Sequence, residues 1–240
     1  MKISLVIPMY NESLIIADTA RRLSHYMSEN FPSYEIIFSD DGSADGSADI
    51  VRALELPCVK VTAYSENRGK GSAVREGIMR AEGELVMFTD ADLAYGVEVI
   101  KDFYDFYFDS EKSEAPKMMI GSRNLGKDGY HGYTRWRRFV SKCYIKLLCT
   151  VGGFKLSDSQ CGCKAFDGAV AKDIFSRCKV DGFAFDFEAI MWAARLGYGI
   201  SEIPVKVLNH RASKVNVFRD ALRMLRDVRK IKKSVNNAEI

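Results

Sequence analysis

Short apolar segments alternate with helical patterns through the first half of the chain, and this alternation restricts the fold more than any other feature. Five segments predict strands, at ISLVIP (3–8), YEIIFS (34–39), CVKVTAY (58–64), ELVMFTD (84–90) and KMMIGS (117–122). Apolar residues at three-to-four spacing predict helices between them, at 12–29, 47–54, 71–83 (ending at a glycine) and 97–108. The alternation indicates an α/β fold with a mostly parallel sheet flanked by helices.

The second half of the chain changes character near residue 123. Residues 131–151 and 217–233 have the spacing of amphipathic helices, and residues 184–196 also predict a helix. The segment SDSQCGCKAF (157–166) indicates a turn before a short strand, and GISEIPVKV (199–207) predicts another strand.

Three polar clusters come directly after predicted strands, at PMYNE (8–12), SDDGS (39–43) and TDAD (89–92). In parallel sheets, ligands bind beyond the carboxyl ends of the strands. The clusters are therefore expected to converge on one edge of the sheet, and together they indicate a binding site more strongly than any of them alone.

The acidic stretch SDDGSADGSAD (39–49) allows three interpretations. A calcium-binding EF-hand loop starting at Asp41 would need glutamate at its twelfth position, where the chain has Arg52, and no helix precedes it. A strand-to-helix turn explains the polar residues of the second half, in which Ser and Asp cap helix N–H groups. The pair Asp40-Asp41 is better explained by a nucleoside, whose base N–H and ribose hydroxyl groups donate hydrogen bonds to carboxylates.

The pair Asp90 and Asp92 predicts a divalent metal site at the end of the fourth strand. Hard carboxylate oxygens suit Mg²⁺ or Mn²⁺ shared with a diphosphate. Phosphatases with an aspartyl nucleophile also use Asp-x-Asp, but usually after the first strand. The segment NRGKGSA (67–73) indicates phosphate contact or a plain glycine-rich helix start, and it lacks the P-loop pattern.

Composition excludes several classes of protein. The six cysteines have no second pair at zinc spacing, and the three histidines are far apart, which argues against structural zinc. We expect neither a signal peptide nor a membrane-spanning helix, because every apolar run is too short. The sequence therefore predicts a cytoplasmic protein with free thiols.

Positive charge is segregated into two helices. Residues 131–151 carry five Lys/Arg and no acid, and residues 217–233 carry seven Lys/Arg and two Asp. For the first helix, one interpretation is packing of its apolar stripe on the domain. The other places Trp136, Phe139 and Tyr144 in the lipid interface, with basic residues at anionic headgroups.

The second helix could bind a membrane, a partner subunit or another copy of the chain, or be solvated. No nucleic-acid partner is expected, because no RNA-binding signature is present.

Taken together, the motifs resemble the inverting glycosyltransferases of family 2, which have the Rossmann-like GT-A fold. PMYNE, DDGS (40–43), NRGKG (67–71), TDAD and GSR (121–123) carry this resemblance. The later motifs DSQCGCKAF (158–166), FAFDFE (183–188), EIPV (202–205) and RASKV (211–215) are similar to the dolichyl-phosphate and polyprenyl-phosphate sugar transferases, closest to the dolichyl-phosphate β-glucosyltransferase branch. The resemblance covers roughly residues 1–217.

The resemblance implies a role for each matching residue. The donor nucleotide would be bound by Pro8, Tyr10, Glu12, Asp41, Lys70 and Asp90, and the metal by Asp90 and Asp92. The acceptor phosphate or donor diphosphate would face Arg123, Arg138, Ser141, Arg211, Ser213 and Lys214. Asp158 and Gln160 would lie near the reacting sugar, with Asp186 and Glu188 behind them. The chain would divide into a nucleotide-sugar-binding half (1–122), an acceptor-binding half of the same domain (123–216) and a basic tail (217–240).

The expected reaction moves a hexose from a nucleotide sugar, with glucose from UDP-glucose implied by the resemblance, to a polyprenyl or dolichyl phosphate at the cytoplasmic face of a membrane. A lipid phosphate is already an anion and needs positioning, whereas an alcohol acceptor would need a general base, for which Asp158 is the candidate. Capping of the 157–160 turn is the alternative role for Asp158. Three rival functions remain: a transferase that moves mannose from GDP-mannose, a soluble family 2 transferase that acts on a glycan, and a nucleotide-sugar-binding module without catalysis. The presence of both Asp90 and Asp92 argues against the binding module.

Overall fold

The structure is a computed structural model that describes residues 1–109, 116–126, 128–209 and 217–238, without the side chains of 217–226. The strands are β1 Ile3–Met9, β2 Tyr34–Asp40, β3 Val59–Ala63, β4 Leu85–Phe88, β5 Met118–Ser122, β6 Lys164–Asp167 and β7 Ile200–Pro204. The helices are α1 Ile16–Asn30, α2 Ser47–Ala53, α3 Lys70–Arg80, α4 Val99–Phe108, α5 Arg135–Gly152, α6 Gly168–Arg177, α7 Phe185–Arg195 and α8 Val217–Asn237.

Within these residues the strands form a seven-stranded sheet in the order β3-β2-β1-β4-β6-β5-β7. Strand β6 runs antiparallel to β4 and β5, and the other neighbouring pairs are parallel. Phe88 at the end of β4 pairs with Lys164 at the start of β6. The loop before β6 therefore arrives at the same edge as the carboxyl ends of the parallel strands.

The centre of the sheet is covered on both faces. Every residue of β1 and β4 is buried, which explains why both strands are continuous apolar runs rather than alternating ones. The expectation of a mostly parallel sheet flanked by helices is confirmed.

Helix α1 begins at Ile16, four residues later than the sequence pattern predicts. Asn11 has a left-handed backbone (φ 51°), and the Glu12 carbonyl accepts from the N–H groups of Ile15 and Ile16. Residues 12–15 therefore form a turn rather than helix, and Leu14 is 90% exposed instead of lying in the buried stripe. The expectation of a helix from residue 12 was wrong because this segment belongs to the polar edge of the sheet.

Two other helices differ from expectation. Helix α3 ends at Arg80 and is followed by extended Ala81, so no glycine caps it. Gly83 instead lies where a Cβ would collide with the backbone of Ser4. Helix α6 was not predicted at all, although Asp167 caps it by accepting from the N–H groups of Ala169 and Val170.

The C-terminal helices pack against the rest of the domain. Helix α8 contacts α7 and α5, and Val228, Ile231 and Val235 are buried in the core. Val228, one of the apolar residues of the basic helix that could have contacted a membrane or a partner, therefore faces the chain's own core. Among the described residues, none of the helices is both long and apolar enough to cross a bilayer.

Candidate active site

Four loops meet at the carboxyl edge of the sheet. They follow β1, β2 and β4 and precede β6, as the strand directions require. Backbone and side-chain bonds join the first two, since the Asp41 N–H donates to the Met9 carbonyl (2.9 Å) and the Asn11 N–H donates to Ser43 Oγ (2.8 Å). The predicted convergence of the polar clusters is therefore present in the structure.

The second half of the SDDGSADGSAD stretch forms a turn that fixes neighbouring backbone. Asp45 accepts from the N–H of Ser13 (2.9 Å) and from the N–H of Ser47 (3.0 Å). Burial alone would raise the pKa of Asp45, but the hydrogen bonds from Ser47 and Ser13 lower it well below its usual range. Asp40 accepts from the N–H and the hydroxyl of Ser43, which orients the loop.

Asp41 is only 2% exposed and anchors the NRGKG loop. Its carboxylate accepts from the Tyr64 hydroxyl (2.5 Å), Asn67 Nδ2 (2.8 Å) and the backbone N–H groups of Arg68 and Gly69 (both 2.9 Å at the nearer oxygen). Burial and Asp41 raise the pKa of Tyr64, so it remains a donor. Contact between Asp41 and a nucleotide base stays a prediction, and the structure adds this anchoring role.

The NRGKG loop is held from its other side by residues 179–182. The Asp181 carbonyl accepts from the N–H groups of Gly71 (2.7 Å) and Ser72 (3.2 Å), and a Cβ at Gly71 would collide with the Val180 carbonyl. Glu188 fixes residues 179–180 by accepting from their N–H groups at 2.8–3.0 Å. Close approach of two backbones therefore explains the glycines of this motif.

Lys70 forms an ion pair with Asp90, with 2.5 Å between Nζ and Oδ1. Burial alone would lower the pKa of Lys70, but Asp90 and Asp186 raise it, which keeps the ammonium charged. Asp92 accepts from the Ala94 N–H (3.1 Å), and burial together with the charge of Asp90 raises the pKa of Asp92. Two carboxylates and one ammonium thus share the end of β4.

Lys164 and Asp186 lie behind this group, and sequence reasoning missed Lys164. Its side chain is fully buried and donates to Asp186 Oδ1 (2.7 Å) and to the Cys161 carbonyl (2.7 Å). Burial raises the pKa of Asp186 although Lys164 and Lys70 act in the opposite direction. A lysine between Cys163 and the apolar pair Ala165-Phe166 was the available signal, because a buried ammonium needs partners.

Arg123 and Asp158 form a buried bidentate ion pair, with distances of 2.6 Å from Nε and 2.9 Å from Nη2. Asp158 is fully buried, and Glu202 of the EIPV motif accepts from its N–H (3.1 Å) and from the N–H of Ser157 (2.9 Å). Gln160 is half-buried and donates its N–H to Asp158 Oδ1 (3.2 Å). These contacts favour a positioning role for Asp158 over a role as general base.

The remaining predicted residues are spread along the edge and α5. Pro8 is buried in β1, Tyr10 is 43% exposed and Glu12 is half-buried. On α5, exposed Arg138 donates from Nη2 to the Tyr130 carbonyl (2.8 Å), and Ser141 is half-buried. Three predicted phosphate contacts, at Arg211, Ser213 and Lys214, lie outside the described residues.

Helix α5 exposes an apolar stripe of Trp136, Phe139, Cys143 and Leu147. Trp136 and Phe139 are 72% and 59% exposed, and their rings stack with centroids 5.9 Å apart. Exposed Arg135, Lys142 and Lys146 flank the stripe on one side. Tyr144 differs from expectation, because it is half-buried and its pKa is raised to about 12 by burial and by Asp186, which places it towards the site rather than in the stripe.

The donor chemistry at the end of β4 fits a magnesium or manganese ion only in part. Asp90 and Asp92 supply hard oxygen ligands. Among the described residues, no three His, Cys, Asp or Glu side chains are grouped so that they could hold an ion. Asp90 and Asp92 would therefore be the two protein ligands of such an ion.

Sequence comparison identifies a family and several relatives. The profile described as Glycosyl transferase family 2 matches residues 4–175. A dolichyl-phosphate beta-glucosyltransferase of Dictyostelium discoideum is 29% identical, covering 96% of this chain and 73% of the relative. The enzyme of the same name from Drosophila melanogaster is 30% identical, covering 95% and 73%.

Solved structures share the fold at low sequence identity. Glucosyl-3-phosphoglycerate synthase from Mycobacterium tuberculosis, in complex with Mn²⁺, UDP and glucosyl-3-phosphoglycerate, has a TM-score of 0.65 at 18% identity. The match covers all of this chain and 81% of that one. Mannosyl-3-phosphoglycerate synthase from Rubrobacter xylanophilus also has a TM-score of 0.65 at 18% identity, with all of this chain and 76% of that one covered.

Proposed function

Because this chain belongs to glycosyl transferase family 2, we propose that it transfers glucose from UDP-glucose to a polyprenyl or dolichyl phosphate, with inversion at the anomeric carbon. The single observation that carries this proposal is the similarity to dolichyl-phosphate beta-glucosyltransferases over nearly the whole chain. The convergence of the matching motifs on one edge of the sheet supports it.

Residues 1–122 bind the donor in this proposal. Pro8, Tyr10 and Glu12 hold the nucleoside, and Asp41 contacts the base while anchoring the loop that carries Lys70. Asp90 and Asp92 hold Mg²⁺ or Mn²⁺. When bound, the cation neutralises negative charge that develops on the leaving diphosphate.

Residues 123–216 bind the acceptor. A lipid phosphate is ionised at neutral pH, so it needs cationic residues for alignment more than a strong base. Arg138, Ser141, Arg211, Ser213 and Lys214 are the proposed phosphate contacts. Arg123 lies at this edge with its charge already balanced by Asp158, and the pair fixes the 157–162 loop against the donor, with Gln160 near the reacting sugar.

The surface of α5 positions the enzyme on a membrane. Its exposed aromatic pair would enter the lipid interface, while Arg135, Lys142 and Lys146 meet anionic headgroups on the cytoplasmic face. Tyr144 on the same helix lies near Asp186, so membrane contact and the site share one helix. The basic helix 217–233 is the second segment proposed to contact a membrane, a partner subunit or a second copy of the chain.

A donor and acceptor screen tests the proposal. Purified protein is incubated with UDP-glucose, GDP-mannose or UDP-galactose, with Mg²⁺ or Mn²⁺, and with a short polyprenyl phosphate or a soluble glycan. We expect UDP release only with UDP-glucose, lipid phosphate and metal together. Release of GDP would instead identify a mannosyltransferase, and turnover only with the glycan would contradict the lipid acceptor.

Substitution Asp92→Asn should abolish metal-dependent transfer and leave the fold intact. The side chain keeps its shape but loses the charge that binds the cation. Transfer is measured by UDP release, and folding by circular dichroism and thermal melting. Asp49→Asn, which removes an exposed carboxylate of α2, is the matched control and should retain activity; full activity of Asp92→Asn would refute the metal assignment.

A further inference from the structure

The Asp90 carboxylate, whose side chain is 33% exposed, has a close neighbour at each of its two oxygens. Oδ1 faces the ammonium of Lys70 at 2.5 Å. Oδ2 faces the backbone of Gly162, where even a Cβ would collide with it. A cation that binds Asp90 through Oδ1 must therefore displace the Lys70 ammonium, and a lysine side chain moves more readily than a buried backbone.

The backbone of Lys70 is fixed although its side chain is long and flexible. Asp41 binds the N–H groups of the two preceding residues, and the Asp181 carbonyl binds those of the two following residues. Movement is therefore confined to the four-carbon stem of Lys70. This stem can turn its ammonium away from Asp90 without unfolding the loop.

The charges around Asp90 show why an ammonium occupies this place. Asp92 adds a second negative charge on the same turn, and Asp186, which is paired with Lys164, adds a third that also acts on Lys70. Without a cation at Oδ1, the carboxylates would repel each other in a partly buried setting. Lys70 supplies one positive charge where a divalent ion would supply two.

We propose that Lys70 is a displaceable counter-ion of Asp90, which occupies the position of the divalent cation until a nucleoside diphosphate enters with the metal. The ammonium then leaves Asp90 and binds the diphosphate oxygens. This inference rests on the proposed function, because it takes a nucleoside diphosphate and a divalent cation as the ligands. It makes the binding of metal and nucleotide mutually dependent. Either ligand alone must bear the free-energy cost of separating Lys70 from Asp90, whereas the two ligands together share it.

The opposite effects of one substitution test this inference. Mn²⁺ binding is measured by electron paramagnetic resonance of the free ion, and UDP binding by calorimetry, for wild type and Lys70→Met. We expect the variant to bind Mn²⁺ alone about tenfold more tightly and UDP alone about tenfold more weakly. The wild type should bind Mn²⁺ at least about fivefold more tightly when UDP is saturating, and this coupling should decrease in the variant.

Two further variants separate the role of Lys70 as counter-ion of Asp90 from the general effect of removing a positive charge from the loop. Lys70→Arg keeps the charge and should retain the weak binding of Mn²⁺ alone. Arg68→Met removes a cation from the same loop whose guanidinium lies over Tyr64 rather than at Asp90, and should leave Mn²⁺ affinity unchanged. Melting temperatures show that each variant is folded.

Three outcomes would overturn the inference. Unchanged Mn²⁺ affinity in Lys70→Met would mean that Lys70 does not compete with the ion. Weaker binding of both ligands would indicate a merely structural role. Failure of wild-type protein to bind UDP with Mn²⁺ would overturn the inference and the proposed function together, whereas normal UDP–Mn²⁺ binding without the Lys70 effect would leave the proposed function standing.

Discussion

At the scale of a single residue, Gly162 sets the distance between the loop after β4, which carries Asp90, and the 157–162 loop. It precedes β6, and its Cα lies against the carboxylate of Asp90. Its N–H also donates to the buried Tyr95 hydroxyl (3.3 Å). Any side chain at this position would force either the Asp90 carboxylate or the 157–162 loop to shift from its present position.

Gly162→Ala should lower transfer by about a hundredfold, because small displacements of catalytic groups have effects of this size. The loss is measured as kcat/KM for UDP-glucose. Gly199→Ala is the matched control, since a Cβ there meets no atom within 4 Å, and it should retain wild-type activity. Equal activity of the two variants would show that the contact with Asp90 is unimportant.

Asp158→Asn should destabilise the protein by about 3–5 kcal/mol, because it leaves the buried Arg123 cation without its charged partner. The double variant Arg123→Met with Asp158→Leu should recover much of this stability but remain inactive, since an apolar pair packs well and cannot orient the loop in the same way. Denaturant unfolding measures stability, and UDP release measures activity. A double variant no more stable than Asp158→Asn would contradict the assignment of the lost stability to the unpaired Arg123 charge.

Sequence reasoning identified most of the acidic residues of the site but not their partners. Asp41, Asp90 and Asp92 could be found because they lie at or just after the ends of predicted strands, at the edge where parallel sheets bind ligands, whereas Asp158 was found through the resemblance. Their bonds to Lys70, Tyr64 or Arg123 depend on contacts between residues distant in sequence, which neither spacing nor composition specifies.

Strands were easier to predict than the starts and ends of helices. Apolar runs such as that of β1 mark fully buried strands clearly. The start of α1 was misplaced because Leu14 continues an apolar pattern. The backbone of residues 11–13 instead donates hydrogen bonds to side chains of the segment after β2. The direction of β6 could not be predicted, because four residues carry no signal that distinguishes parallel from antiparallel pairing.

Glu35 joins three elements at the opposite edge of the sheet from the candidate site. It lies in β2 and accepts from Ser4 Oγ of β1 (2.5 Å), Lys60 Nζ of β3 (2.8 Å) and the N–H of Glu82 (2.8 Å). Burial alone would raise the pKa of Glu35, but the bonds from Lys60 and Ser4 lower it below its ordinary value.

Glu35→Gln should lower the free energy of unfolding at pH 7 by about 1–3 kcal/mol, because an amide cannot accept all of these bonds. A lowered native pKa adds stability above the unfolded pKa of about 4.3, and this stability is lost as the pH falls through the native value. The difference between wild type and variant should therefore be constant from about pH 6 to 8 and shrink below about pH 4.

Denaturant unfolding at several pH values measures this difference. Glu84→Gln is the control, because it removes an exposed carboxylate paired with Lys2, and it should change stability by less than about 0.5 kcal/mol. A difference for Glu35→Gln that persists unchanged at pH 3 would contradict the ionic origin of the effect.

The distribution of charge over the whole molecule separates two surfaces. The carboxyl edge of the sheet carries the acidic site, whereas α5 presents exposed basic and aromatic side chains. Charge segregation was evident from the sequence. The exposure of Trp136 and the inward position of Tyr144 were not, because they depend on how α5 packs against α7 and α8.

Trp136→Ser with Phe139→Ser should reduce binding to vesicles that contain phosphatidylglycerol at least about fivefold, because it removes the side chains that insert between headgroups. Binding is measured by co-sedimentation at low and high salt, and wild-type binding should decrease as salt rises. Met79→Ser, which removes an exposed apolar side chain of α3, is the control. Equal vesicle binding of the double variant and the wild type would contradict membrane docking. A wild type that elutes as a dimer and a double variant that elutes as a monomer in size-exclusion chromatography would also contradict it.

The position of β6 has a consequence for biosynthesis. Strands β1 to β4 can pair as soon as they leave the ribosome. One side of β4 stays unpaired until residues 164–167 have been synthesised and can form β6. Strand β5 is made earlier, yet among the described strands its partners are β6 and β7. A nascent chain that stops near residue 122 would carry an open strand edge and an unattached β5, so a prematurely terminated product is a substrate for chaperones or aggregation rather than half of an enzyme.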